Sequence, residues 1–210
     1  MASESRETST TVGSAASSGN RIRKRALIAL GLASACVALA AISWPELDNI
    51  HAVVPDTVYR SAQLSPRRLD ELIATHHLRA VLNLRGASTG SAWYYDEVAM
   101  TTRLGVQHAD FELSAVREVT PLTAEQLVRL MEQLPKPLLI HCQGGADRTG
   151  LASALYLYAL MYDTADEAAR QLSFLYGHVP FFGGGTNAMD RSFWNYVNSH
   201  PQPNKPHLRE

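Results

Sequence analysis

Residues 137–158 read PLLIHCQGGADRTGLASALYLY and decide the fold. Behind Pro137, the apolar run 138–140 predicts a short buried strand. Gly144 and Gly145 then allow a tight loop whose backbone N–H groups turn inward. Apolar residues at helical spacing predict a helix that begins where the loop ends; these residues are Leu151, Leu155 and Tyr158.

A strand, a glycine loop and a helix N-terminus together form an anion-binding site, because unpaired N–H groups and the positive end of the helix dipole face one point. Cys142 begins the loop, and a thiol at that positive potential ionises more easily to the nucleophilic thiolate. Arg148, six residues later, can bind two phosphate oxygens with its planar fork. We expect the hydroxyl of Thr149 to donate to the thiolate. The predicted phosphate-binding residues are Gln143, Gly144, Gly145, Ala146, Asp147, Arg148 and Thr149.

The run HCQGGADRTG at 141–150 resembles the H-C-x5-R-[ST]-G signature of the cysteine-dependent protein tyrosine and dual-specificity phosphatases. The resemblance implies the phosphatase fold, with a mainly parallel sheet of four or five strands flanked by helices. It also implies a two-step reaction through a phosphocysteine, in which Cys142 is the nucleophile, Arg148 stabilises the phosphoryl group, and no metal or other cofactor takes part. The competing interpretation is a buried free cysteine beside a structural arginine.

Composition excludes several other classes of protein. The chain has 210 residues, which is room for one domain of about 150 residues and an appendage. A net charge of −1 gives no support for nucleic-acid binding. The two cysteines, Cys36 and Cys142, are too few for a disulfide framework or a cysteine-rich zinc site.

The N-terminal part predicts a membrane segment. Residues 1–25 are rich in Ser, Thr, Ala and Gly, end in a basic cluster, and are expected to form a disordered tail. The next 18 residues, 26–43, carry no charge and precede Trp44. As a helix they would span about 27 Å, which is enough to cross a bilayer core. Residues 26–44 are therefore predicted to form one transmembrane anchor.

Alternatives to the anchor stay open. Residues 38–40, Ala-Leu-Ala, have the form of a signal-peptide cleavage site, although the long polar segment before the basic cluster favours an anchor. Lipidation of Cys36 ranks low, because the apolar run continues past it. The basic cluster predicts a cytoplasmic N-terminus. We therefore expect a single-pass protein of a bacterial inner membrane, with a periplasmic catalytic domain at 47–200 and a flexible tail at 201–210.

Strands and helices alternate around the loop. Strands are predicted at 58–63, 80–84 and 106–113, and helices from Pro66, at 93–104, from Thr123, at 164–176 and at 190–198. This order indicates an α/β domain with a mainly parallel sheet, whose ligand binds at the carboxyl ends of the strands. The segments YRSAQ at 59–63 and NLR at 83–85 are similar to the same superfamily, the first to its bacterial members.

The leaving oxygen of the implied reaction needs a proton, so a general acid is expected. Asp147 ranks first, because some lipid and bacterial tyrosine phosphatases resemble this chain in carrying an aspartate inside the signature. Its alternative role is that of a helix N-cap. Glu118, in the loop where the superfamily usually carries its acid, ranks second, and Asp110 third. His141 is expected to orient the loop through hydrogen bonds.

The signature loop also limits the substrate. Gln143 and Ala146 are neutral and Asp147 is acidic, so Coulomb repulsion disfavours a dense polyanion such as an inositol polyphosphate. We therefore expect a phosphoprotein, carrying phosphotyrosine or phosphoserine and phosphothreonine, or a simple phosphomonoester. A phosphoinositide phosphatase, a catalytically inactive phosphate-binding module and a sulfur-transfer domain are the alternatives.

Overall fold

The computed structural model describes residues 27–28, 30–31, 34, 48–179 and 187–202. The chain divides into two units, Met1–Glu46 and Leu47–Glu210. Of the first unit, residues 27, 28, 30, 31 and 34 are helical and exposed. The description that follows concerns the second unit.

The predicted tail at 1–25 and most of the predicted anchor at 26–44 lie outside the described residues. The same holds for residues 203–210 of the predicted C-terminal tail. Over the ranges that the structure describes, none of the helices has both the length and the apolar character needed to cross a bilayer. The anchor, the signal peptide and the periplasmic location therefore stay predictions.

Five strands form one mixed sheet in the order β1-β2-β5-β3-β4. The strands are β1 His51–Val54, β2 Val58–Ser61, β3 Ala80–Asn83, β4 Gln107–Asp110 and β5 Leu138–His141. β1 pairs with β2 in antiparallel orientation, and all other neighbours are parallel. The mainly parallel sheet is confirmed. β1 was not predicted, because it is a half-exposed edge strand with no long apolar run.

The register of the parallel strands places their carboxyl ends side by side. Ser61 of β2 and Asn83 of β3 both pair with His141 of β5. Asn83 in turn pairs with Asp110 of β4. The residues that follow these four strands therefore meet at one edge of the sheet, where ligands of such folds bind.

Helices cover both faces of the sheet. They are α1 Pro66–His76, α2 Ala92–Arg103, α3 Pro121–Gln133, α4 Asp147–Leu160, α5 Ala165–Ala169 and α6 Asn187–Ser199, with a 3-10 turn at Phe174–Tyr176. Successive strand residues point to opposite faces. Leu139 packs in a cluster with α1, whereas Leu138 and Ile140 join the larger core formed with α3, α4 and α6. Helix α4 lies inside this layer, and its residues 149–158 are buried on all sides.

Three predicted helix boundaries were wrong. Helix α3 begins at Pro121, before the predicted start at Thr123, and is capped by the Thr120 hydroxyl, which accepts from the Thr123 N–H at 3.2 Å. The segment 164–176 is not one helix: α5 ends at Ala169, and Leu175 in the 3-10 turn is 84% exposed. Helix α6 begins at Asn187, before the predicted start at Asp190.

After α5 the backbone continues in tighter turns. The N–H groups of residues 170–172 donate to carbonyls three residues earlier, instead of the four of an α-helix. At Gln171, Nη1 of Arg60 donates to the backbone carbonyl at 2.9 Å and to the side-chain Oε1 at 2.7 Å. A buried arginine of β2 therefore contacts the chain just beyond the end of α5.

Candidate active site

Cys142 lies directly after β5 and is 3% exposed. The loop 143–146 follows, and α4 begins at Asp147 rather than at Arg148. Asp147 is thus the first helical residue and not the N-cap, a position that Ala146 occupies without a side-chain hydrogen bond. The structure therefore places the predicted nucleophile between the end of a buried strand and the N-terminus of a 14-residue helix.

Gly145 shapes the loop, and Gly144 does not. The φ angle of Gly145 is +67°, a left-handed conformation that side chains disfavour. A Cβ at Gly145 would lie 2.6 Å from the backbone nitrogen of Ala62 and 2.7 Å from the carbonyl of Ser61. A Cβ at Gly144 would meet nothing within 4 Å. The loop thus packs its backbone directly against the end of β2.

The backbone N–H groups of the loop are available to a ligand. From 143 to 149, none of them donates to a backbone carbonyl of the described residues, and the first such bond runs from the Gly150 N–H to the Ala146 carbonyl at 2.8 Å. These seven donors adjoin the positive end of the α4 dipole. The combination binds anions in other proteins and fits the phosphate cradle predicted from the sequence.

Arg148 reaches from α4 to the carboxyl ends of the neighbouring strands. Its Nη1 donates to the carbonyls of Leu113, at 3.3 Å, and Leu84, at 3.5 Å. Its Nε is buried and has no partner among the described residues. The hydroxyl of Thr149 is also buried without a partner there, so the predicted donation to the Cys142 thiol is not present.

A second arginine, not predicted from the sequence, binds the backbone of the loop from β2. Arg60 on β2 is fully buried. Its Nη2 donates to the carbonyls of Gly145, at 2.7 Å, and Ala146, at 3.3 Å, and its guanidinium stacks on Tyr176. Burial lowers the pKa of Arg60 to about 10, which leaves the side chain charged near neutral pH. The signal in the sequence was a charged residue in a strand that is otherwise buried.

Glu97 of α2 forms the centre of a buried group that we name the Glu97 cluster: Glu97, His108, His141 and Gln63. Its Oε1 lies 2.9 Å from His108 Nε2 and 3.2 Å from His141 Nε2, and its Oε2 accepts from Gln63 Nε2 at 2.6 Å. Burial alone raises the pKa of Glu97, but the charge of His141 and the three hydrogen bonds outweigh it and lower the pKa well below its usual range. The cluster orients His141, whose Nδ1 also lies 3.4 Å from the Cys142 carbonyl oxygen.

On the helix side of the loop, His178 joins two carboxylates in what we name the His178 bridge: Asp147, His178 and Asp190. His178 Nδ1 lies 2.7 Å from Asp147 Oδ1, and its Nε2 lies 2.8 Å from Asp190 Oδ2. Burial lowers the pKa of His178, but both hydrogen bonds and both negative charges outweigh it and raise the pKa to about 9. The bridge therefore ties the signature loop to α6 with a charged imidazolium.

The other two candidate acids have different surroundings. Asp110 accepts from Asn83 Nδ2 at 2.8 Å and from the Tyr94 hydroxyl at 2.6 Å, so both of its oxygens are occupied. The hydrogen bond to Asp110 raises the pKa of Tyr94 to about 12. Glu118 forms an ion pair with Arg191 on the surface. Asp147 alone of the three lies in the signature loop, and its Oδ2 has no hydrogen-bond partner among the described residues.

The acidic and histidine side chains around the loop are not arranged for a metal. Among the described residues, the Glu97 cluster and the His178 bridge included, no group of three or more His, Cys, Asp and Glu side chains is placed to hold a metal ion. Cys142 is a free cysteine.

Solved structures with a similar fold are phosphatases. TpbA of P. aeruginosa is 22% identical, with 74% of this chain and 86% of that chain covered and a TM-score of 0.52. The active form of Tk-PTP is 17% identical, with 70% and 97% covered and a TM-score of 0.55. PTPMT1 in complex with PI(5)P is 14% identical, with 72% and 99% covered and a TM-score of 0.52. At these identities the likeness shows the fold, which is the phosphatase fold that the loop predicted.

The family is shown by sequence. Among curated proteins, no relative matches this chain. The model of the tyrosine phosphatase family, however, matches residues 44–169, which is more than half of the chain and includes the loop with Cys142 and Arg148. This chain therefore belongs to the tyrosine phosphatase family, within the superfamily of cysteine-dependent phosphatases that its signature resembles.

Proposed function

We propose that this chain is a metal-independent phosphomonoesterase that acts on phosphoproteins, with phosphotyrosine as the first choice of substrate. One observation carries the proposal: the seven N–H groups of residues 143–149, which follow Cys142 directly, donate to no backbone carbonyl of the described residues. Such a loop binds a tetrahedral dianion beside a thiol nucleophile.

In the proposed first step, the Cys142 thiolate attacks phosphorus and the bond to the leaving oxygen breaks. Arg148 and the loop amides stabilise the charge on the three equatorial oxygens, because they are fixed before the reaction begins. The leaving oxygen takes a proton from a general acid. In the second step, water gives a proton to the carboxylate left by that acid and attacks the phosphocysteine. The phosphorus–sulfur bond breaks, which releases inorganic phosphate and restores both the thiolate and the protonated acid.

Asp147 is the proposed acid. The observation that favours it is its Oδ2, which has no partner among the described residues, in a carboxyl group that is 25% exposed at the edge of the loop. Asp110 has both oxygens in hydrogen bonds, and Glu118 is paired with Arg191. The contact of Asp147 Oδ1 with His178 gives Asp147 a competing role as a positioning residue, and the two roles have different kinetic signatures.

Two related folds point to two classes of substrate. The P. aeruginosa TpbA structure is also known in complex with phosphotyrosine, at 19% identity and a TM-score of 0.54, and PTPMT1 was solved with PI(5)P. The neutral side chains of Gln143 and Ala146 favour a substrate with a single phosphate at the loop. We therefore place phosphotyrosine protein first and a phosphoinositide second.

The test measures hydrolysis by the full chain and by its Cys142→Ser variant. We expect turnover of p-nitrophenyl phosphate and of a phosphotyrosine peptide that persists in EDTA and disappears in the variant. Faster turnover of phosphatidylinositol 5-phosphate than of the peptide would move the proposal to the lipid. Binding of inorganic phosphate without turnover of any substrate would identify an inactive phosphate-binding module instead.

The proposed location follows from the sequence alone. The basic cluster and apolar run predict an anchor with the catalytic unit outside the cytoplasmic membrane, so the membrane would be a partner through residues 26–44. Protease added to intact spheroplasts should then degrade the catalytic unit. Protection until the membrane is lysed would contradict this location.

A further inference from the structure

A third arginine lies at the same edge of the sheet and has no role in the mechanism above. Arg85 follows Leu84, whose N–H donates to the His141 carbonyl at 2.9 Å. The Leu84 carbonyl lies 3.5 Å from Nη1 of Arg148. Arg85 is thus the neighbour in sequence of Leu84, which contacts both β5 and Arg148.

The side chain of Arg85 is held in one position. Its guanidinium stacks on the ring of Trp93, with 3.6 Å from Cζ to the ring centroid, and its Nη1 donates to Gln63 Oε1 at 3.1 Å. Gln63 is fixed in turn, since its backbone N–H donates to the Gln143 carbonyl at 3.1 Å and its side chain donates to Glu97. A stacked, bonded guanidinium keeps a defined direction and loses little entropy when it binds a ligand.

The guanidinium of Arg85 lies near negative groups but forms an ion pair with none of the described carboxylates. Five other arginines form ion pairs with carboxylates, and Arg60 directs its N–H groups to carbonyls. Arg85 forms no such ion pair within the described part of the chain, and its Nε and Nη2 have no partner there. Burial, and next the positive charge of Arg148, lower the pKa of Arg85, while Cys142 and Glu97 raise it by less. Two guanidinium groups that repel each other at the edge of a binding site favour a bound anion between or beside them.

We propose that Arg85 binds a second anionic group of the substrate, next to the scissile phosphate. In the proposed mechanism Arg148 and the loop amides bind the scissile phosphate, whereas Arg85 is fixed outside the loop on Trp93 and Gln63. This inference rests on the proposed function: for a phosphotyrosine protein, the second group is the carboxylate of an Asp or Glu that flanks the phosphotyrosine. Arg85 is thus a specificity-determining residue, which selects substrates by charge without taking part in the chemical steps.

Binding to the full chain with Cys142→Ser tests the inference without any need for turnover. Two fluorescent phosphotyrosine peptides are compared, one with Asp and Glu at the flanking positions and one with Asn and Gln. We expect the acidic peptide to bind about tenfold more tightly, the size of effect that one well-placed charge pair gives. Adding Arg85→Ala should remove this preference, while Arg85→Lys, which keeps the charge but loses the planar stack, should retain part of it.

The matched control is Arg79→Ala, which removes the same charge from an exposed residue just before β3, at the opposite end of that strand. This variant should keep the full preference for the acidic peptide. Equal binding of the two peptides, binding of neither, or a preference that survives Arg85→Ala would overturn the inference. Equal weakening of both peptides by Arg85→Ala would overturn it too, because Arg85 would then act on the scissile phosphate or on the fold. Absence of turnover by the unmodified chain rejects the proposed function separately.

Discussion

The signature loop is held on its two sides by groups of opposite charge. On the strand side, the Glu97 cluster places one carboxylate between two histidines. On the helix side, the His178 bridge places one histidine between two carboxylates. Each centre is nearly inaccessible to solvent, at 4% exposure for Glu97 and 1% for His178. Histidines and carboxylates thus support the loop on both sides, with a negative charge at the centre of the Glu97 cluster and a positive charge at the centre of the His178 bridge.

This reversal predicts opposite responses to pH. The pKa of Glu97 is lowered, so the stability that the Glu97 cluster contributes is complete above the usual carboxyl pKa and is lost as the pH falls. The pKa of His178 is raised to about 9, so the contribution of the His178 bridge is complete below the usual histidine pKa and is lost as the pH rises through about 9. One side of the loop should therefore weaken in acid and the other in base.

We expect the largest loss of activity from a substitution in the loop itself, which both sides support. Gly145→Ala places a Cβ 2.7 Å from the backbone of Ser61, the last residue of β2, in a left-handed conformation. We therefore expect kcat/KM to fall by about 100-fold or more. Gly144→Ala is the matched control, because its Cβ meets nothing within 4 Å and the N–H group is retained. Similar losses in the two variants would contradict the described loop.

Variants of Asp147 and His178 distinguish a general acid from a positioning residue. If it is the acid, Asp147→Asn should lower kcat by about 100-fold on an alkyl phosphate, whose leaving group needs a proton, and far less on p-nitrophenyl phosphate. His178→Gln breaks the same bridge without removing the carboxyl, so it should lower both rates by one common, smaller factor. Equal losses on the two substrates in Asp147→Asn would leave Asp147 as a positioning residue only.

Glu97→Gln tests the strand side. The variant surrounds a neutral amide with two histidines, and we expect the free energy of unfolding to fall by about 2–3 kcal/mol at neutral pH. Urea titrations across pH should show the difference from the unmodified protein at full size above pH 4.5, the ordinary value for a glutamate, and shrinking below it. Glu132→Gln, at an exposed position of α3, is the control and should change little. A difference that grows in acid would contradict the assigned charge.

His178→Gln tests the helix side in the opposite direction. We expect a loss of about 2 kcal/mol in the free energy of unfolding, from two charge-assisted hydrogen bonds. The loss should be complete below pH 6.5, the ordinary value for a histidine, and should disappear as the pH rises through about 9. His77→Asn, at an exposed residue with a left-handed backbone that Asn tolerates, is the control. A loss that persists at pH 10 would show that the bridge does not depend on the imidazolium.

The sequence predicted the loop and the place of Cys142 at its start because their signals are local. The strand, the glycines and the helix follow one another within the 22 residues 137–158. The spacing of apolar residues and the two glycines of the turn are enough to assign them. Arg60, Glu97 and His178 could not be found in the same way, since each meets the loop only after the chain has folded. A charged residue within a buried strand or on the buried side of a helix was the one signal that could have pointed to Arg60 and Glu97.

Two other features escaped prediction for related reasons. The segment predicted as one helix over 164–176 contains Gln171, whose carbonyl accepts from Arg60, more than 100 residues away in sequence, and no local pattern indicates such a contact. β1 was missed because an edge strand buries only part of its surface and lacks a strong apolar pattern.

The central claim is that Cys142 forms a covalent bond to the transferred phosphoryl group. Rapid acid quench of the full chain during turnover of a phosphotyrosine peptide in EDTA, followed by mass spectrometry and phosphorus NMR, tests it most directly. The account predicts a phosphorus–sulfur bond at Cys142 that is absent in Cys142→Ser. Turnover without this intermediate, or phosphate bound to any other residue, would contradict the account.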